Sequence, residues 1–90
     1  KMTNRTKRLE KGIESLREEI ENHFQKVEMD ISEKNKELGR YHTREISRSL
    51  IDALEKKIIA LGETQKYLEV IEEYKTRLEE YKKKLKLEEE

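Results

Sequence analysis

The chain has 90 residues, of which 32% are hydrophobic and 47% are charged, and its 21 basic and 21 acidic side chains cancel to a formal net charge of zero. This balance argues against a protein whose whole surface grips nucleic acid, because such binding draws its affinity from neutralised phosphates. The absence of cysteine excludes a disulfide framework and a zinc-thiolate site. No long apolar run is present, so we expect neither a signal peptide nor a membrane span, and the expected location is the cytoplasm.

A chain of this length predicts one domain covering residues 1–90. Its apolar residues fall at spacings of three and four, a pattern typical of solvated helical bundles and coiled coils. Charge made largely of Lys and Glu, without cysteine, also fits the composition of hyperthermophile proteins. The composition therefore indicates an all-helical protein, with a thermophilic source as an expectation.

Two glycines mark the predicted helix ends. Gly39 and Gly62 each follow a leucine that closes an apolar-periodic run, and a left-handed C-terminal cap belongs at that position. No proline interrupts the runs between them. The sequence thus predicts an all-α fold, an antiparallel up-down-up bundle of three helices with a long first helix and coiled-coil-like seams.

The first helix is predicted over about 6–38 and the second over about 43–61, with Thr43 as the N-cap of the second. The apolar face of the second helix is wide, which favours contact with at least two neighbours. The stripe of the first helix consists of Leu9, Ile13, Leu16, Ile20, Phe24, Val27 and Ile31.

The third helix is predicted over about 65–87 and carries the most regular heptad pattern in the chain. We expect its tyrosine rings to lie in the core with their hydroxyl groups at the rim. The heptad positions are Tyr67, Ile71, Tyr74, Leu78, Tyr81 and Leu85.

A two-helix hairpin is the alternative, since a glycine inside a helix costs only about 1 kcal/mol relative to alanine. The phase of the apolar stripe argues against it. Counting one heptad from Leu61 reaches Leu68, whereas the stripe of the third helix lies at Tyr67 and Ile71, one residue out of phase. A break at Gly62 would reset that phase, so three helices are favoured.

The predicted helices are about 50, 28 and 35 Å long. If the second helix returns along the first, it reaches only the level of about Ile20. An arm comprising Leu9, Ile13 and Leu16 is then left without partners inside the chain. Exposed apolar surface of this kind predicts a homodimer, with binding to a partner helix or a monomer as the alternatives.

No pattern for metal, cofactor or catalytic chemistry is present. His23 and His42 lack a second histidine or a Glu-x-x-His motif at helical metal-binding spacing. Nucleophile elbows and glycine-rich phosphate loops are also missing. We therefore expect no cofactor and no enzymatic activity, and an enzyme acting on a small anion would need a pocket walled by convergent arginines.

Basic residues concentrate where the second helix is predicted to begin and near the C-terminus. In an up-down-up bundle the two segments return to the same end, beside Lys34 and Lys36. They could form a patch for an anion or nucleic acid, although Glu33, Glu37 and the acidic tail 88–90 would temper it. The candidate patch comprises Arg40, His42, Arg44, Arg48, Lys82, Lys83 and Lys84.

The sequence does not determine a function. The interpretation it favours is a non-catalytic helical protein-interaction module, such as a scaffold, adaptor or regulatory subunit, that acts through self-association. The alternative is a nucleic-acid or anion-binding accessory protein that uses the basic patch. Membrane association is not expected, because the chain lacks the aromatic anchors of a membrane-surface helix.

Overall fold

The computed structural model describes residues 4–87, nearly all of which are helical. A π-helical segment, Ile46–Leu50, joins the helical segments Lys36–Glu45 and Ile51–Leu61 without a break, so residues 36–61 form one continuous helix. The chain is therefore a three-helix bundle, as predicted. The α-helices are α1 (Asn4–Ser32), α2 (Lys36–Glu45), α3 (Ile51–Leu61) and α4 (Thr64–Leu85).

The first turn lies between Ser32 and the start of α2. Lys34 adopts a left-handed backbone conformation with φ of 56°. Its N–H donates to the carbonyl of Ile31 at 3.1 Å, and the N–H of Asn35 donates to the carbonyl of Asp30 at 2.8 Å. These two bonds form a Schellman motif, which satisfies carbonyl groups at the end of α1.

Asn35 begins the next helix by accepting a hydrogen bond from the backbone N–H of Leu38 at 3.1 Å. The predicted boundaries at this turn, with the first helix running to Leu38 and the second starting near Thr43, are therefore wrong. Gly39 and Thr43 both lie buried inside α2. A Cβ atom on Gly39 would lie 2.6 Å from Leu85 Cδ1, so this glycine serves close helix packing rather than a turn.

The second turn follows the prediction. Gly62 has φ of 80° and its N–H donates to the carbonyl of Ile59 at 3.0 Å. The N–H of Glu63 donates to the carbonyl of Ile58 at 3.3 Å, which completes a second Schellman motif. The helix ends at Leu61, and the two-helix hairpin is excluded.

The core is built from the predicted apolar stripes of all three helices. The continuous helix 36–61 packs against both α1 and α4, as its wide apolar face predicts. Tyr67 and Tyr74 are buried and Tyr81 is half-buried, with the hydroxyls of the last two reaching polar partners. The buried apolar residues are Ile13, Ile20, Phe24, Val27, Ile46, Leu50, Ile51, Leu54, Ile58, Tyr67, Ile71, Tyr74, Leu78, Leu85 and Leu87.

The π-helical segment keeps the apolar stripe of the continuous helix in register. Along the continuous helix, the buried residues Ile46, Leu50, Leu54 and Ile58 recur in steps of four, whereas an α-helix has 3.6 residues per turn. In a regular α-helix, a stripe with this spacing would therefore drift around the helix axis. The wider π turn, closed by the N–H of Ile51 donating to the carbonyl of Ile46, takes up part of that drift.

The predicted unpartnered arm does not exist. Because α1 ends at Ser32 and the second helix starts at Lys36, the continuous helix 36–61, about 39 Å long, covers nearly all of α1. Ile13 is fully buried, while Leu9 and Leu16 are half-buried. The self-association arm at Leu9, Ile13 and Leu16 is therefore wrong, since the length mismatch that predicted it is absent. No helix within residues 4–87 is both long enough and apolar enough to cross a membrane.

We predict that Ile13→Glu destabilises the fold instead of breaking a dimer. A carboxylate at this fully buried position would have no partner, so we expect a loss of at least about 3 kcal/mol in the free energy of unfolding, measured in urea by circular dichroism. Met29→Glu is the matched control, because Met29 is 58% exposed on the same helix. Equal stability of the two variants would contradict the packing of α1.

Candidate functional site

The arginines of the predicted basic patch lie along the continuous helix and not at its start. Arg40 is half-buried, and Arg44 and Arg48 are exposed. Because the helix begins at Lys36, the first of them already lies more than one turn inside it. The prediction that these arginines lie at the start of the second helix is wrong.

His42 also lies inside α2 and not in the turn, where the sequence placed it. Its Nδ1 atom is 2.6 Å from Oδ2 of Asp30, a carboxylate on α1 that is only 3% exposed. The pair joins α1 to α2 and satisfies a buried charge. His42 therefore serves the fold and is not an outward-facing member of an anion patch.

A second histidine bridge joins the same two helices. His23 Nδ1 lies 2.8 Å from the carbonyl oxygen of Glu19, and its Nε2 lies 3.2 Å from Oε1 of Glu45. Both partners are acceptors, so both contacts are hydrogen bonds only when the imidazole carries two protons. Within residues 4–87, no three acidic or histidine side chains are grouped so that they could hold a metal ion.

Lysines from three segments meet at the end of the bundle where α1 and α4 terminate. They line a depression of about 410 Å³, which we call the lysine cavity. Of the predicted patch residues only Lys84 lines it, because Lys82 Nζ turns to Glu79 Oε2 at 3.7 Å and Lys83 is exposed elsewhere. The lining residues are Ile31, Lys34, Lys36, Lys84, Leu85 and Lys86.

Among residues 4–87, no acidic side chain lines the lysine cavity. In the described part of the chain, none of its four ammonium groups forms an ion pair with a carboxylate. Glu33 and Glu37, which the sequence suggested would temper the charge, are exposed and lie outside the lining. The acidic tail 88–90 lies outside the described residues. The cavity therefore contains Lys84 of the predicted patch, together with Lys34 and Lys36, and the patch arginines are not part of its lining.

A second surface depression, of about 440 Å³, lies between α3 and α4 and is called the α3–α4 groove. Buried Ile58 and Ile71 line it together with two exposed apolar side chains, Ile59 and Leu68, which are 67% and 47% exposed. The sequence contained a signal for this surface. Ile59 and Leu68 stand beside the apolar stripes, where they widen the apolar faces of the two helices.

The rim of the α3–α4 groove carries both signs of charge. Asp52, Glu55 and Glu72 are acidic, whereas Lys56 and Lys75 are basic. Lys75 Nζ lies 3.3 Å from Glu55 Oε2, which links α4 to α3. Lys56 Nζ lies 3.2 Å from Asp52 Oδ2 along α3. The groove therefore presents an apolar centre between locally paired charges.

The seam between α1 and α4 is closed by paired polar groups. Arg77 Nη1 donates to Glu21 Oε2 at 2.7 Å, and its guanidinium lies 4.2 Å from the centre of the Phe24 ring. Burial opposes the charge of Arg77, but hydrogen bonds to Glu21 and Tyr81 raise its pKa above the ordinary value. Burial and then the hydrogen bond to Glu28 raise the pKa of Tyr81. These groups stabilise the interface between the helices.

The lysine cavity exposes the side chains of its four lysines, and the α3–α4 groove exposes Ile59 and Leu68. No known protein family, curated protein or solved structure matches this chain. Function is therefore inferred below from the charge and exposure of these two surfaces.

We predict that His42→Ala costs about 2 to 3 kcal/mol of unfolding free energy, because it leaves the buried carboxylate of Asp30 without its partner. Chemical denaturation measures the loss. Arg48→Ala, an exposed change one helical turn or more away, should stay within about 0.5 kcal/mol of the wild type. Adding Asp30→Asn to His42→Ala should recover part of the stability by removing the unpaired charge. A small loss in His42→Ala would contradict the pairing.

The raised pKa of Tyr81 predicts a stability change in alkali. The folded protein holds the phenol proton more tightly than the unfolded chain, so this contribution is complete below about pH 10 and is lost as pH rises through the folded-state pKa. Above about pH 10, the unfolding free energy of the wild type should fall more steeply than that of Tyr81→Phe. Tyr41→Phe, an exposed control, should follow the wild type. If the unfolding free energies of the wild type and Tyr81→Phe fell equally with pH, the prediction would be contradicted.

Proposed function

We propose that the protein is a non-catalytic helical interaction module that associates through the α3–α4 groove. The exposure of Ile59 and Leu68 side by side in one groove is the observation that carries this proposal. Contiguous exposed apolar surface on a small protein is typical of association sites. Covering these side chains would remove apolar area from water, at about 25 cal/mol per Å².

The proposed occupant of the groove is a second copy of the chain. A formal net charge of zero means that two copies do not repel each other at long range. In a two-fold symmetric dimer the same surface meets itself. Because the rim carries acids and lysines, each sign can face its opposite across the dimer, whereas a partner of one strong charge would meet like charges on part of the rim.

This interface replaces the one expected from the sequence. The contact would involve α3 of one copy and α4 of the other. The α1 arm expected from the sequence is covered within the chain. Its centre is apolar, so salt should weaken the dimer only slightly.

Self-association of this kind suits a scaffold, adaptor or regulatory subunit, because a dimer holds two copies of each remaining surface in a defined arrangement. A cytoplasmic location belongs to the same proposal. The chain has no cysteine that an oxidising compartment would cross-link.

The test is the solution mass by light scattering after size exclusion, at low and high salt. The wild type should have about twice the chain mass of 10.9 kDa under both conditions. Ile59→Glu and Leu68→Glu should each give a monomer with unchanged helical circular dichroism, because a charge is placed in the apolar centre. Met29→Glu should remain dimeric, since Met29 is exposed on α1 and outside the groove.

Three outcomes would contradict the proposal. A wild-type monomer at all accessible concentrations would remove the self-association. A dimer that survives both groove variants would exclude the α3–α4 groove as its interface. If Met29→Glu were the only variant to dissociate the dimer, the interface would lie on α1 and not at the α3–α4 groove.

A further inference from the structure

The lysine cavity gathers four cations from separate parts of the chain. Lys34 belongs to the first turn, Lys36 starts α2, Lys84 lies in the last turn of α4, and Lys86 follows that helix. We infer that this cavity is a binding site for a small polyanion that carries several phosphate groups. The inference does not depend on the proposed dimer.

The first support for a polyanion site is the lack of described carboxylates among the lysines that line the cavity. Outside the cavity, Lys56, Lys75 and Lys82 form ion pairs with Asp52, Glu55 and Glu79 respectively. At the lysine cavity, by contrast, the described residues supply four positive charges and no carboxylate, although the chain as a whole is neutral. Four like charges around one concave surface repel each other, and a bound anion relieves that repulsion.

The second support for a polyanion site is the identity of the left-handed residues that follow the helices. Left-handed residues follow α1, α3 and α4, and they are Lys34, Gly62 and Lys86 respectively. Glycine takes this conformation freely, while a residue with a Cβ atom pays roughly 1 to 2 kcal/mol. The end that carries glycine is the one away from the cavity, and both ends that line the cavity carry lysine.

Helix stability explains only part of this arrangement. A cation at a helix C-terminus gains about 0.3 to 1 kcal/mol from the helix dipole, which offsets some of the strain at Lys34 and Lys86. Lys36 receives no such benefit. It is the first residue of α2, where the positive end of the dipole makes a cation unfavourable.

The chemistry of the lining favours phosphate. Lysine presents a compact charge with three donors and binds phosphate well, whereas no arginine lines the cavity to grip a carboxylate with two parallel hydrogen bonds. A volume of about 410 Å³ is suited to a small ligand. The lysines converge on one depression and do not follow a track along a helix face, which favours a compact polyanion over a nucleic-acid backbone.

The experiment is isothermal titration of the full chain with inorganic tripolyphosphate in about 25 mM salt, where charge interactions are weakly screened. We expect saturable binding that weakens as salt is raised. Lys36→Gln/Lys84→Gln should raise the dissociation constant at least about tenfold, since it removes two charge-assisted contacts. Both positions have ordinary helical backbones and exposed side chains, so circular dichroism should show an unchanged fold.

The matched control is Lys7→Gln/Lys11→Gln, which removes the same charge from a depression that also contains Glu10, Glu14 and Glu18. Its dissociation constant should stay within about twofold of the wild type. Ile59→Glu should also keep wild-type affinity, which separates this site from the dimer interface.

Several results would overturn the inference. One is the absence of saturable heat when the wild type is titrated with tripolyphosphate at low salt. Another is equal weakening of binding by the two double variants, because that would indicate a general charge effect. A short single-stranded oligonucleotide is the second probe, and a greater loss of its affinity than of tripolyphosphate affinity in Lys36→Gln/Lys84→Gln would assign the lysines to a nucleic-acid track.

Discussion

The turn between α1 and α2 sets the register of the whole bundle. Two backbone hydrogen bonds close it around Lys34, and the Asn35 side chain starts the next helix at once. Because so few residues separate Ser32 from Lys36, the two helices have nearly matched lengths. That match buries Ile13 and leaves no apolar arm, and it places the start of α2 beside the end of α4.

Polar bridges hold this register along both sides of α1. The pairs Asp30 with His42 and His23 with Glu45 join α1 to α2, while Arg77 bonds Glu21 across the seam with α4. A register error of one turn would separate these partners and leave Asp30 buried without compensation. The bridges thus add specificity to a hydrophobic core that is small for a chain with so few apolar residues.

The two surface depressions lie toward opposite ends of the bundle. The α3–α4 groove lies near the turn at Gly62, whereas the lysine cavity lies at the opposite end, next to the end of α4. A dimer formed through the groove would therefore leave both lysine cavities accessible. Association and polyanion binding are compatible in one molecule.

Local rules were enough for the helical fold. The spacing of Ile20, Phe24 and Val27 identifies a buried stripe, because an α-helix places such residues on one face. The position of Gly62 as a left-handed cap also followed from sequence, since few other residues take that conformation freely. The buried stripe and the Gly62 cap can each be predicted from residues that are close together in sequence.

Only the tertiary structure decided the role of Gly39 and the composition of the surface sites. A glycine after a leucine can end a helix or let another helix approach, and the choice here depends on Leu85 in α4, distant in sequence. Lys34 took the left-handed position that glycine usually occupies, which moved the turn and, with it, the arginines away from the helix start. The sequence by itself determined the apolar stripe that each helix turns inward, because periodicity is local. Which charged residues meet one another depended on helix ends and packing, which are set by contacts between segments.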